Sequence, residues 1–133
     1  MSNGSVRGSC LCGAVRFEVR GALRPVSFCH CSQCRKQTGL YYAATAAPAD
    51  TVQVEGADGL TWFAASETAE RGFCSRCGSA LFWRRHGSQA LSILAGAIDD
   101  PTALVPKEHI FVGDAPGWYE IADGLPQQEG SAR

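Results

Sequence analysis

Residues 74–78 read Cys-Ser-Arg-Cys-Gly and form the most informative segment of this chain. Two cysteines separated by two residues place both sulfurs on the inner side of one tight turn. The glycine that follows, Gly78, can take the positive φ needed to leave that turn. This is the pattern of a metal-binding knuckle. Cys10 and Cys12, followed by Gly13, form a tighter version of the same pattern.

A third cysteine cluster lies between these two, in the segment Cys29-His30-Cys31-Ser32-Gln33-Cys34, and brings the total to seven. An odd number cannot pair completely in disulfides within the chain. A structural zinc site has four protein ligands, whereas a catalytic one has three and an open position. The central cluster alone supplies three thiolates, and the outer pairs then combine as Cys10, Cys12, Cys74 and Cys77. A four-ligand site that mixes the central cluster with one outer pair is the rival division.

The clustering favours metal binding over other uses of cysteine. An isolated cysteine is often a small buried hydrophobe, but three closely spaced groups ending in turn residues rarely arise by chance. Zinc is favoured because the knuckle is tetrahedral, with iron as the alternative for so thiolate-rich a set. A redox role for Cys74 and Cys77 is less favoured because no βαβ pattern surrounds them. The first residues do not resemble a secretory signal, so a reducing, cytoplasmic compartment is expected.

The composition indicates one folded domain over residues 1–133. Hydrophobic residues make up 45% of the chain and charged residues 19%, which excludes a disordered tail or a coiled coil. The 12 basic and 13 acidic residues give a net charge of −1, which disfavours binding to nucleic acid or to an anionic membrane. No segment approaches the roughly 18 apolar residues of a membrane-spanning helix.

Short apolar or alternating segments bounded by glycine and proline predict a mainly β domain with little helix. The predicted strands cover residues 14–20, 40–47, 51–55, 60–65, 80–85, 90–95 and 109–112. Ser32 is expected to begin a single helical turn toward Thr38, and residues 99–101, Asp-Asp-Pro, to begin a short helix or 3₁₀ turn. The polar tail, residues 124–133, is expected to fray.

Three motifs together resemble a known family. They are Cys-x-Cys-Gly ahead of a strand, Cys-His-Cys-x-x-Cys-Arg-Lys-x-x-Gly at residues 29–39, and Phe-Cys-x-x-Cys-Gly-Ser-x-Leu at residues 73–81. The chain is similar in these motifs to the glutathione-dependent formaldehyde-activating enzyme family, whose domain is shared with centromere protein V. Residues 107–111 and 117–126 resemble the C-terminal signature of that family, so the resemblance covers nearly the whole chain.

This resemblance implies both a fold and a chemistry for a core of about residues 8–126. The implied fold is a β-tent of small antiparallel sheets that holds two zinc ions per chain. Cys29, Cys31 and Cys34 would hold a catalytic zinc, and the structural zinc would be held by Cys10, Cys12, Cys74 and Cys77. The implied activity is the condensation of formaldehyde with glutathione to S-hydroxymethylglutathione, formally the reverse of a carbon–sulfur lyase.

Other residues near the central cluster have two interpretations each. Arg35 and Lys36 would either attract the carboxylates of glutathione or form a solvated basic pair. His109 would be either a proton shuttle or a structural histidine. His30 lies between two ligands and is expected either beside the metal site or exposed to solvent, rather than on the metal.

Two functions follow from the central cluster. Zinc held by three thiolates offers a soft, open position suited to ionising a thiol, which predicts an enzyme acting on thiol–aldehyde adducts. The alternative is a non-catalytic zinc-stabilised binding module, in which His30 or His109 closes the fourth position. The state of that position separates the two.

Overall fold

Ten short strands form the framework of residues 4–131, the part of the chain that this computed structural model describes. They are Val6–Ser9 (β1), Arg16–Val19 (β2), Val26–Cys29 (β3), Tyr42–Pro48 (β4), Val52–Glu55 (β5), Leu60–Ala64 (β6), Ala69–Cys74 (β7), Ala80–Arg85 (β8), Ala90–Leu94 (β9) and Pro106–Ile110 (β10). The described part holds one α-helix, Ser32–Thr38 (α1). Its 3₁₀ turns are Ala49–Thr51, Ala57–Gly59, Ala95–Ala97 and Val112–Asp114.

The strands form two sheets. The smaller has the order β1-β2-β5, and the larger has the order β10-β3-β4-β9-β8-β7-β6. All of these pairs are antiparallel except β10 with β3, which is parallel. The prediction of a mainly β single domain is therefore confirmed, and the parallel pair is its one departure from the expected antiparallel pairing.

The core lies where the two sheets face each other. Phe17 of β2 packs edge-on against Phe82 of β8, with ring centroids 5.3 Å apart. Each large apolar side chain buried in this way contributes roughly 1.5–3 kcal/mol. Cys10 and Cys74 belong to the same buried cluster as these rings. The outer cysteine pairs are thus anchored in the main core of the domain.

The seven predicted strands correspond to β2, β4, β5, β6, β8, β9 and β10, with ends that differ by a few residues. β1, β3 and β7 were not predicted from the sequence. β7 gives no alternating signal because Arg71 and Gly72 are both buried in it and lie next to each other. β3 also lacks an alternating signal. It lies inside the larger sheet, and its first two residues are both buried.

No helix begins at residues 99–101, and the alternative prediction, a 3₁₀ turn, is limited to one hydrogen bond from the N–H of Ala103 to the Asp100 carbonyl (3.1 Å). The structure has a turn there, in which the Oδ1 atom of Asp100 accepts hydrogen bonds from the backbone N–H (2.9 Å) and the hydroxyl (2.7 Å) of Thr102. An aspartate that bonds its own neighbouring backbone offers the chain an alternative to helix. By contrast, the turn predicted from Ser32 to Thr38 is present as α1.

The tail does not fray over the part that is described. The backbone N–H of His109 donates to the Pro126 carbonyl (2.9 Å), and the N–H of Gln128 donates to the His109 carbonyl (2.9 Å). These bonds lay the tail along β10 as a short parallel bridge. The prediction that the tail frays is therefore contradicted for residues 124–131. Residues 132–133 of the tail lie outside the described residues.

Gly56 is a position where the fold requires glycine. Its φ is 75°, and a Cβ built there would overlap the Ala14 carbonyl oxygen. We expect Gly56→Ala to lower the free energy of unfolding by about 3 kcal/mol, because backbone strain and a backbone clash add together. Gly87→Ala is the matched control, since Gly87 has a φ of 82° with no atom within 4 Å of the added Cβ. Gly87→Ala should lower the free energy of unfolding by only about 1 kcal/mol. Equal losses in urea unfolding would contradict the assignment of the clash.

Candidate metal and active site

The two outer cysteine pairs meet in one place, which we call the four-cysteine site: Cys10, Cys12, Cys74 and Cys77. All four Sγ atoms lie within 4.8 Å of one another. The Sγ atoms of Cys10 and Cys12 are 3.7 Å apart, and those of Cys12 and Cys74 are 3.8 Å apart. A tetrahedron with zinc–sulfur bonds of about 2.3 Å has edges of about 3.8 Å. The donor set therefore fits zinc in both type and spacing.

Tight turns present these sulfurs. Cys74 ends β7, and the chain turns back into β8 through Gly78, whose φ is 82° and whose N–H donates to the Cys74 carbonyl (2.8 Å). Backbone N–H groups of Val15 and Arg76 donate to the sulfurs of Cys10 (3.3 Å) and Cys74 (3.4 Å). The donors that stabilise these thiolates are thus neutral.

The central cluster forms a second group, the three-cysteine site: Cys29, Cys31 and Cys34. Its Sγ atoms also lie within 4.8 Å of one another. Cys29 ends β3, and the Sγ atom of Cys31 caps α1 by accepting a hydrogen bond from the N–H of Cys34 (3.4 Å). A strand end followed at once by a helix start therefore gathers three sulfurs within six residues.

The three-cysteine site has no fourth protein donor within the described chain. The sulfur group includes no further histidine, cysteine, aspartate or glutamate. Hydrogen bonds with Cys29 and then Cys34 lower the pKa of Cys31, while the hydrogen bond with Cys31 is the main cause that raises the pKa of Cys29. An incomplete donor set of this kind is the arrangement of an open metal site.

His30 is buried beside the three-cysteine site but belongs to a different cluster. Its Nε2 atom is 2.8 Å from Nδ1 of His109, and Nε2 of His109 is 2.8 Å from Oδ2 of Asp123. The hydrogen bond from His109 lowers the pKa of Asp123, so this carboxylate accepts the His109 Nε2–H. His109 Nδ1 then accepts from His30 Nε2–H. This assignment leaves Nδ1 of His30 as a bare acceptor, buried and without a hydrogen-bond partner in residues 4–131.

Aromatic rings surround the two histidines. Phe28 stacks on His109 at 4.9 Å, and Tyr119 stacks on His30 at 6.3 Å. Burial is the main cause that lowers the pKa of His30, which favours its neutral form. His30 is fully buried, so the exposed alternative is wrong, whereas its place beside a metal stays a prediction. Its partner, His109, was not foreseen. Both ring nitrogens of His109 are engaged, which favours the structural interpretation of that residue.

The basic residues that follow the central cluster lie on α1. Arg35 is partly buried and Lys36 is exposed, both in the last turn. Their contact with glutathione stays a prediction. Arg71 of β7 was not predicted from the sequence, although its Nη2 atom lies 3.4 Å from Sγ of Cys34. No local signal could have found it, because 37 residues separate the two in the chain.

The described residues thus form a mainly β domain with one group of four sulfurs and one group of three, each close enough together to hold a metal ion. The model of the glutathione-dependent formaldehyde-activating enzyme family matches residues 5–114. The chain belongs to this enzyme family, as its motifs predicted.

Three known proteins are similar to this chain. A candidate glutathione-dependent formaldehyde-activating enzyme of Halomonas elongata is 36% identical over 126 residues, which cover 87% of this chain and 80% of that protein. An uncharacterized lyase of Schizosaccharomyces pombe is 26% identical over 120 residues, covering 87% and 85% respectively. The crystal structure of a Rhodobacter sphaeroides protein is similar with a TM-score of 0.61 and 29% identity, covering 75% of this chain and 97% of that one. In the described part, no helix has the length and apolar character needed to cross a membrane.

Proposed function

We propose that this protein is a zinc-dependent carbon–sulfur lyase acting on the adduct of glutathione with formaldehyde or a related small aldehyde. One observation carries the proposal. In a member of this enzyme family, the three-cysteine site gathers three sulfurs and the described residues supply no fourth donor. A reducing cytoplasm is the compartment that would keep these thiols free, as they are in the structure.

Two zinc ions per chain are part of the proposal. The four-cysteine site would hold a structural ion, because its sulfurs leave no position for a substrate. The three-cysteine site would hold the second ion. Zinc bound there would supply a soft, open position at which a thiol ionises readily.

The chemistry needs no further reactant. Cys29, Cys31 and Cys34 orient the incoming thiol, which releases its proton to solvent. The glutathione thiolate then attacks the aldehyde carbon, so that a carbon–sulfur bond forms and the carbonyl π bond breaks. The oxygen takes up a proton to become the hydroxyl of S-hydroxymethylglutathione. In the lyase direction the hydroxyl loses its proton, the carbonyl π bond re-forms as the carbon–sulfur bond breaks, and the released glutathione thiolate takes up a proton. Arg35 and Lys36 would attract the glutathione carboxylates.

The row of His30, His109 and Asp123 is proposed to position the site. It ties β3, which carries Cys29, to β10 and to the C-terminal segment. A non-catalytic module with a histidine on the metal is less well supported, because neither His30 nor His109 has a ring nitrogen within 4.8 Å of all three sulfurs of the three-cysteine site.

The test is the exchange rate between free glutathione and its formaldehyde adduct at equilibrium, followed by NMR with isotopically labelled formaldehyde. The uncatalysed exchange is measured alone and subtracted. We expect the zinc-loaded protein to raise the exchange rate in proportion to its concentration, and serum albumin, as a control, to leave it unchanged. No increase at any protein concentration would refute the proposed activity.

A further inference from the structure

Arg71 is a buried cation on β7 that faces the three-cysteine site. The residue is 6% exposed, and three of its nitrogens donate hydrogen bonds. Their acceptors are Oε1 of Gln33 (3.2 Å, from Nε), Oε1 of Gln37 (2.8 Å, from Nη1) and Sγ of Cys34 (3.4 Å, from Nη2). Its guanidinium carbon also lies 5.6 Å from the ring centroid of Tyr42.

A buried arginine normally has an anionic partner, because an unpaired charge in the interior is costly. Arg71 has no ion pair with a carboxylate within the described chain. The thiolates of the three-cysteine site are the anions that its guanidinium meets, through Cys34. We infer that Arg71 is the counter-charge of this site and a positioning residue for Cys34.

Among the described residues, the four-cysteine site has no equivalent cation. Its sulfurs receive hydrogen bonds from backbone N–H groups of Val15 and Arg76, and the Ser79 hydroxyl lies 3.2 Å from Sγ of Cys77; all of these groups are neutral. Of the two sites, the one with an incomplete donor set is therefore the one with a side-chain cation on its sulfur. This difference indicates that Arg71 serves the open position and not metal binding in general.

The net charge of the zinc-loaded site shows the effect of Arg71, and this step rests on the proposed function. Three thiolates and a divalent zinc carry about −1 in total, and a fourth thiolate would bring the centre to about −2. Arg71 reduces these totals to about zero and −1. A neutral centre accepts an anionic sulfur at a lower electrostatic cost than an anionic centre does. Arg71 thus favours a thiolate over water as the fourth ligand.

Helix α1 holds the guanidinium in place. Gln33 and Gln37 are four residues apart and lie on one face of the helix with Cys34 between them in the sequence. The Nε2 atom of Gln33 donates to the Ala65 carbonyl (3.0 Å), which turns its Oε1 atom toward Arg71. The cation, its two amide acceptors and the sulfur therefore form one fixed unit.

The test measures zinc affinity at the three-cysteine site by chelator competition, without any assay of turnover. We expect Arg71→Met to weaken zinc binding there about 10- to 100-fold and to leave the second, tighter zinc unchanged. Arg71→Lys keeps the charge but loses the planar fork, so its affinity should lie between those of Arg71→Met and the wild type. Arg84→Met is the matched control, because Arg84 is half-exposed and paired with Glu70. It should bind both zinc ions as the wild type does.

A second readout follows the fourth ligand. Cobalt replaces zinc, and its absorption bands report the binding of a sulfur from glutathione. Cobalt-loaded Arg71→Met should need at least about tenfold more glutathione than the wild type for the same spectral change. If Arg71→Met does not fold, the exposed Gln37 gives the deciding variant, Gln37→Leu, with an expected loss of zinc affinity of about threefold. Wild-type affinity at the three-cysteine site in the folded variant would overturn the inference. Because affinity is the readout, a wild-type protein without lyase activity would refute only the proposed function.

Discussion

Replacing Cys74 with serine should unfold the protein at temperatures at which the wild type is folded. Cys74 is fully buried, ends β7 and shares the core with Phe82, and its Sγ atom lies 3.8 Å from that of Cys12. A structural zinc site contributes roughly 10–16 kcal/mol at neutral pH. Domains of this size are stable by only about 5–15 kcal/mol in total. Loss of one of the four ligands therefore removes most of the free energy of unfolding.

Circular dichroism during heating measures this effect. We expect the midpoint for Cys74→Ser to fall by roughly 20 °C or more, and a strong chelator to produce the same loss in the wild type. Ser75→Ala changes the same turn at an exposed position without removing a sulfur, so it should shift the midpoint by only a few degrees. A Cys74→Ser protein that melts with the wild type would show that the four-cysteine site does not hold the fold together.

Replacing Cys34 with serine should abolish catalysis and leave the fold intact. Cys34 is a buried member of the three-cysteine site, and its sulfur receives the hydrogen bond from Arg71. Serine is a poor zinc ligand, so two thiolates remain where three are needed to keep zinc and orient the thiol. We expect the exchange rate of the glutathione adduct to fall by about 10³-fold or more, to the uncatalysed value.

The same variant should keep one tightly bound zinc per chain, at the four-cysteine site, and should melt close to the wild type. Ser32→Ala is the control, because Ser32 is an exposed residue of the same segment and offers no sulfur. Its exchange rate should match that of the wild type. Full turnover by zinc-loaded Cys34→Ser would refute the assignment of the three-cysteine site as the place of catalysis.

The sulfur sites were predictable because their geometry is mostly local. Turns fix how Cys74 and Cys77 approach each other, and the strand-to-helix junction does the same for Cys29, Cys31 and Cys34. The union of the outer pairs bridges 62 residues of sequence and has no local signal. It came from counting ligands and from the family resemblance, and the structure places those four sulfurs together.

The surroundings of the sulfur sites were not predictable in the same way. His30 and His109 are 79 residues apart and meet only because β10 lies parallel to β3. The spacing of apolar residues in the sequence does not predict this pairing. Arg71 meets Cys34 because α1 packs near β7, and an arginine within a strand suggests a solvent-facing position. In both cases tertiary contacts, and not local preference, decide which residues touch the site.

The division of the seven sulfurs into a closed set and an open set is the central claim, and anomalous diffraction at the zinc edge tests it most directly. Crystals of the zinc-loaded protein soaked in glutathione should show two zinc peaks per chain. One peak should have four protein sulfurs, and the other should have Cys29, Cys31, Cys34 and the sulfur of glutathione. A single peak, or a second peak whose fourth ligand is His30 or His109, would contradict the account.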